Sequence, residues 1–529
     1  MLLLIGLLLN SGAVQANNIT VSNISLTQRN ATDDYTMVQF DLSWENSWRT
    51  SNLNGDGVTN WDAAWVFVKY RVAGGVWQHA WLNNDGHSGT GATIYAGLQT
   101  PGSAFNATTN PGVGVFIYRS ADGTGTFSIT GAKLRWNYGA NGVAEDASVE
   151  VKVFAIEMVY VPEGAFYVGS GGAESGRFKN GTTNNPFLIS SEGPLEIGNE
   201  NGKLWGSSAS GENTIGGAGT LGGSFPKGYA SFYCMKYEVS QQQYVDFLNS
   251  LTRVQQNNRT GTDLAAGTTI VTNRYVMSNL GILSQRNGIR CDGAILANDP
   301  ITFYCDLSGN GTGGESNDGQ WIACNFLSWM DGAAYADWAG LRPMTELEFE
   351  KACRGTITPV ANEYIWGTTD YLQVTGIDNS GTANETASNS GAGISVYGDN
   401  ASVKGPLRVG ALASAGTTTR ATSGSSYYGI KELGGNLWER PVTIGNTDGR
   451  AFTGLHGDGA LNANGHANQA AWPGLVSGAV TGAGGTGHRG SAWSMPRELM
   501  RISDRSYAVS GPISRGDYYG CRAVRSWGL

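Results

Sequence analysis

Between Val38 and Trp44 apolar and polar side chains alternate: Val38, Phe40, Leu42 and Trp44 against Gln39, Asp41 and Ser43. A period of two predicts a half-buried β-strand. Similar short runs recur at 64–72, 113–119, 127–136 and 149–156, parted by Gly- and Asn-rich turns. Strands at this spacing, without a helical period, predict an antiparallel β-sandwich over residues 17–157. From Met158 the pattern changes. Tyr244, Phe247, Leu248 and Leu251 fall at i, i+3, i+4 and i+7 behind Ser240, which predicts a capped amphipathic helix. A second helix is expected over Trp329–Trp338, stopping at Gly340. A third starts at Thr345, with Glu348 three residues on as a capping box. Long Gly/Ser/Asn loops fill 170–224, 255–320, 370–425 and 445–488, and their low charge and scattered aromatics predict ordered surface loops.

Composition sharpens this picture. Charged residues are only 15% of the 529, and the 78 glycines are roughly twice the usual share. Net charge is −9 and no Lys/Arg run stands out, so nucleic acid is not an expected partner. Residues 1–16 read as a secretory signal: Leu2–Leu9 is an apolar core, and Val14 and Ala16 sit at −3 and −1 of a cut after Ala16. No other segment approaches the length of a membrane span. The expected localisation is extracellular or at the cell surface. Export permits disulfides. Of Cys234, Cys291, Cys305, Cys324, Cys353 and Cys521, the pair bracketing one loop, Cys291 and Cys305, is the expected bridge, and Cys234, Cys324 and Cys353, in apolar segments, read as buried thiols. No CxxC occurs, which speaks against zinc.

From Met158 onward a series of motifs runs in order: Met158–Ser170 (MVYVPEGAFYVGS), Tyr237–Ser240 (YEVS), Ser328-Trp329 with Ala334–Gly340, Leu341–Gly355 (LRPMTELEFEKACRG), Tyr364–Gly367, Gly434–Glu439 (GGNLWE), Arg489–Trp493 (RGSAW) and Gly520–Arg522 (GCR). This series resembles the formylglycine-generating-enzyme (sulfatase-modifying factor) family along most of 158–529. The resemblance implies a loop-rich domain like the C-type-lectin fold, so the fold class expected for the whole chain is α+β. It does not extend to residues 1–157.

The family's oxidases carry two copper(I)-binding cysteines, five residues apart, after the RGSAW-like segment. Aligned on Arg489-Gly490-Ser491, these positions hold Met495 and Met500. A thioether cannot form the reactive thiolate, which argues against the family's oxidase chemistry; no catalytic residue is assigned. An iron-dependent branch would need clustered histidines, whereas His79, His87, His456, His466 and His488 form no HxxxH pair. The resemblance further implies structural calcium, held by the Glu432 and Glu439 side chains and the Gly435 and Leu437 carbonyls, hard oxygen donors of the kind calcium takes.

Two features of the first unit add minor possibilities. Asn52, Asn54, Asp56, Gly57 and Asn60 follow a calcium-loop spacing, but position 12 is Ala63, so an ordinary Asn/Asp/Gly turn is the preferred reading. Trp77, His79 and Trp81 would share one strand face that is buried, binds a glycan or meets another subunit, while Trp44, Trp65 and Trp136 belong to the core pattern. The expected function is a secreted, non-catalytic structural or binding protein of the cell surface or an extracellular filament or matrix, calcium-supported and self-associating or bound to other surface proteins. The alternatives are an extracellular oxidoreductase or protein-modifying enzyme, and a glycan-binding module with a polysaccharide partner.

Overall fold

Alternation becomes geometry in the strand Tyr35–Leu53 (β2), where Val38, Phe40, Leu42 and Trp44 are all buried. The structure is a computed structural model that describes residues 19–208, 211–413 and 419–528; the expected signal segment, 1–16, lies outside the described residues. The chain divides into two compact units between Glu157 and Met158.

The first unit is an antiparallel sheet built around two long strands, β2 and Val58–Val72 (β3). Along β2 run Thr20–Asn30 (β1) on one side and Gly123–Trp136 (β7) on the other. Along β3 run Gln78–His79 (β4) and Gly112–Arg119 (β6), and β6 also pairs with Ala92–Leu98 (β5). Strand Val149–Val161 (β8) lies beside β3. Residues 60–70 of β3 are buried without a break, so both its faces are covered. The core gathers Trp44, Val66, Val68, Tyr70, Leu134 and Trp136. One carboxylate is built into it: Asp62 accepts from Trp44 Nε1 at 3.0 Å, Ser47 Oγ at 2.8 Å and the Trp48 amide at 3.0 Å. A buried polar group needs such partners.

The second unit, Met158–Trp527, is mostly loop with short strands and few helices. Its central ladder is antiparallel. Phe232–Met235 pairs with Met158–Val161 on one side and with Ala523–Ser526 on the other, and Arg342–Pro343 pairs with the latter. Four helices matter to the site: Gln241–Leu248 (α1), Arg253–Arg259 (α2), Trp329–Trp338 (α3) and Glu346–Arg354 (α4). Each begins with a complete capping box, at Ser240/Gln243, Thr252/Gln255, Ser328/Asp331 and Thr345/Glu348. Two orphan amides per helix are thereby satisfied. Leu251 is buried but lies past the end of α1, which stops at Leu248. Gly340 terminates α3 at φ +70°, a conformation that glycine adopts without steric penalty.

The expected Cys291–Cys305 bridge is not formed; all six cysteines are free and buried. The ladder explains it. Cys305 stands opposite Ile289, so Cys291 is its diagonal neighbour. Diagonal positions lie about 7–8 Å apart, beyond the reach of a disulfide. Among the described residues no helix is long and apolar enough to cross a membrane.

Candidate functional site

Helix α4 looks water-soluble by composition, yet every residue of it is buried. Its carboxylates meet arginines from distant segments. Glu346 accepts from Arg505 Nε at 2.7 Å and Arg489 Nη1 at 3.2 Å, and from the Ile444 amide at 2.8 Å. Glu350 accepts from Arg489 Nη2 at 2.7 Å, Arg354 Nη1 at 3.2 Å and the Gly169 amide at 2.8 Å. Arg354 also pairs with Glu363, and Glu348 with Arg342 at 2.6 Å. Burial alone would raise the Glu346 carboxyl; Arg505 and Arg489 outweigh it and hold it below the ordinary carboxylate range. This lattice ties the 342–355 block to Arg489, and so positions the segment that follows.

Three motifs converge beside it. The Glu439 amide donates to the Arg489 carbonyl at 3.1 Å and the reverse bond is 3.0 Å; the Trp493 amide donates to Asn436 O at 2.8 Å; the Trp438 amide donates to Tyr518 O at 3.0 Å. Trp438, Ala492 and Tyr519 form an apolar patch against which Met495, Leu499 and Tyr518 pack. His488 stacks on Tyr519 at 4.8 Å between ring centroids and lies 5.6 Å from Trp438. Met500 is fully buried. A Cβ added to Gly435 would sit 3.3 Å from the Met500 sulfur and 2.5 Å from the Val396 carbonyl oxygen, and φ there is +80°, so glycine is required. The two methionines thus fill core and patch. No cysteine joins the patch; Cys521, Cys234 and Cys353 are all buried thiols pushed up by burial, the first two to about 12.

The four residues expected to hold calcium lie on this same turn, with their carboxylates already engaged. Glu432, at φ +50°, accepts from the Gly410 amide with both oxygens at 3.1 Å. Glu439 Oε1 accepts from Arg522 Nε at 2.6 Å, and Arg522 also donates to the Met235 and Lys431 carbonyls, each at 2.8 Å. Gly435 donates its amide to Gly490 O at 2.7 Å, and Leu437 donates its amide to Glu238 at 3.0 Å. Glu238 also accepts from Asn436 Nδ2. Burial pushes the Glu432, Glu439 and Glu238 carboxyls up, and Arg522 opposes this at each. A cation at Glu439 would have to compete with the guanidinium. Among the described residues no group of three or more His, Cys, Asp or Glu is arranged to hold a metal. Both carboxylates of the expected set are thus engaged by donors of the protein itself. Sequence reasoning missed Arg522 and Glu238 as the partners of this turn, although both lie inside quoted motifs, GCR and YEVS.

The three C-terminal histidines are engaged separately: His456 Nε2 accepts from the Ser526 amide at 2.9 Å, His466 Nδ1 lies 3.0 Å from Arg259 Nη2, and His488 is in the aromatic stack. In the first unit, the 52–60 stretch closes the β2–β3 hairpin: Asn52 accepts from the Gly57 amide and Asn60 from Trp48 Nε1, both at 2.6 Å. His79 is buried, its Nε2 2.6 Å from the Val113 carbonyl oxygen. Trp77 is half-buried, with the Arg71 guanidinium 4.8 Å and the Lys152 ammonium 4.7 Å from its ring centre.

Comparison with known proteins agrees with the convergence of motifs in the second unit. A family model, the sulfatase-modifying factor enzyme 1-like domain, matches residues 221–527, more than half of the chain. Comparison with curated proteins gives no match. With Trp438, Arg489 and Arg522 of its motifs brought together on one buried frame, the chain belongs to the sulfatase-modifying factor (formylglycine-generating-enzyme) family.

Proposed function

We propose that this protein is a secreted, non-catalytic member of its family that works by binding or assembly at the cell surface or in an extracellular matrix, with its second unit folded like a C-type lectin. The observation that carries this is the occupancy of the aligned cysteine positions. Met500 is sealed in the core and Met495 packs on the Trp438 patch. Neither can ionise, and the buried thiols elsewhere stay protonated at neutral pH. Low charge reduces repulsion between copies, and apolar side chains are exposed on the 267–297 loops, at Ile270, Ile282 and Leu296. Both support self-association. Calcium at Glu432, Gly435, Leu437 and Glu439 belongs to this reading as a support of the turn, sharing Glu439 with Arg522.

The test has two arms. Purified protein given copper(I), oxygen and a cysteine-containing peptide should leave the cysteine unconverted; turnover to the aldehyde would overturn the non-catalytic reading. Sedimentation over a wide concentration range should show a defined oligomer or polymer; a monomer throughout would remove assembly and leave binding to other partners. The glycan alternative loses ground at Trp77, whose ring already carries two cations.

A further inference from the structure

A small pocket of about 20 Å³ is bordered by the first turn of α3 at Ser328 and Trp329, by Arg440, and by Cys521 and Arg522. That is room for about one water-sized occupant. Arg440 is 7% exposed. Its Nη2 donates to the Pro512 carbonyl at 2.7 Å and its guanidinium lies 4.9 Å from the Tyr519 ring centre. Its Nε and Nη1 are buried and meet no hydrogen-bond partner among the described residues. Leaving two N–H groups of a buried cation unsatisfied is costly, because each keeps its full desolvation penalty.

Among the described residues no free carboxylate is paired with Arg440. The acidic groups that act on Arg440 are Tyr519, Asp331 and Cys521. The Tyr519 phenol and the Cys521 thiol are both pushed up to about 12, chiefly by burial, so both are neutral at physiological pH. Asp331 is already shared by two other arginines, Arg515 at 2.7 and 2.9 Å and Arg259 at 3.2 Å. Burial lowers Arg440 itself only to about 10, so it stays a cation. The adjoining end of α3 is the positive pole of a ten-residue helix.

We propose that this cavity is a binding site for one small monovalent anion, a halide such as chloride, held by Nε and Nη1 of Arg440. A space of about 20 Å³ matches one small ion or water molecule. An extracellular protein would meet chloride continuously, so the site would act as a structural ligand binding the native state and not the unfolded one.

Crystals of the full chain grown or soaked in bromide, with data collected at the bromine edge, test this directly. An anomalous peak within hydrogen-bond distance of Arg440 Nε and Nη1 is expected. A peak-free cavity at saturating bromide, or an ordered water there instead, would overturn the proposal. Thermal melting of the intact protein in chloride against gluconate at equal ionic strength is the second measurement. A saturable rise in Tm with chloride, absent in Arg440→Gln, is expected; equal melting in both salts would count against the site. Should Arg440→Gln fail to fold, the bromide experiment on the unaltered protein still decides.

Discussion

At the scale of single residues, this protein buries charge to an unusual degree and differs from place to place in how it neutralises it. Glu346 is ionised in the core because Arg505 and Arg489 hold it so. Glu346→Gln would leave two guanidiniums short of a counter-charge, and a loss of about 3–5 kcal/mol is expected by chemical denaturation. Asp337 is the opposite case. Burial, with Asp458 adding to it, pushes this carboxyl to about 8 against amide donors from Asp458 and Asn468, each at 3.1 Å. Its folded value is raised, so the stability it contributes is complete below its unfolded value near 4 and is lost as pH rises toward 8. Asp337→Asn should therefore flatten the decline in stability between pH 5 and 8; an unchanged slope would show that Asp337 is ionised in the folded protein.

At the scale of elements, what was legible in the sequence was whatever is decided locally. The alternation at 38–44 placed β2, and the Ser240 and Thr345 caps placed the starts of α1 and α4. The same logic applied to Thr252 and Gln255, yet α2 went unread, because RVQQNNR has no apolar stripe and is held by its buried Arg253, Gln256 and Arg259 instead. Strands β1 and β5 escaped for a related reason: their partly exposed pattern carries little hydrophobic period. The motifs identified the turn at Gly434–Glu439, but not that Arg522 and Glu238 close on it, since such pairings span 83 and 199 residues of chain. Caps can be tested one at a time. Thr345→Ala removes an amide acceptor and also the bond its hydroxyl donates to Pro226 O, so a loss of about 1–2 kcal/mol is expected from the melting curve. Ser240→Ala, whose side chain caps a similar helix, should cost about 1 kcal/mol.

At the scale of the whole molecule, the second unit is a loop-rich body held by ion pairs and glycine turns more than by regular structure, which is why composition alone suggested surface loops where much of the chain is in fact buried. If calcium supports the turn at Glu432, Gly435, Leu437 and Glu439 beside Arg522, exhaustive dialysis against a chelator should lower Tm, and calcium but not magnesium should restore it. An unchanged Tm would instead leave Arg522 as the one positive charge on Glu439.

The ladder at the start of the second unit bears on where this chain can be cut. The first and last strands of that unit, Met158–Val161 and Ala523–Ser526, are the two neighbours of Phe232–Met235. A fragment beginning at 221, where the family match starts, would keep the second neighbour and lose the first. One side of an otherwise buried strand, with Phe232, Tyr233, Cys234 and Met235, would then be open to pairing with another molecule. Such a fragment should aggregate irregularly on expression, while one beginning at 158 should stay soluble and keep whatever assembly state the second unit has, so residues 158–220 would serve as a seal on the family domain's own edge.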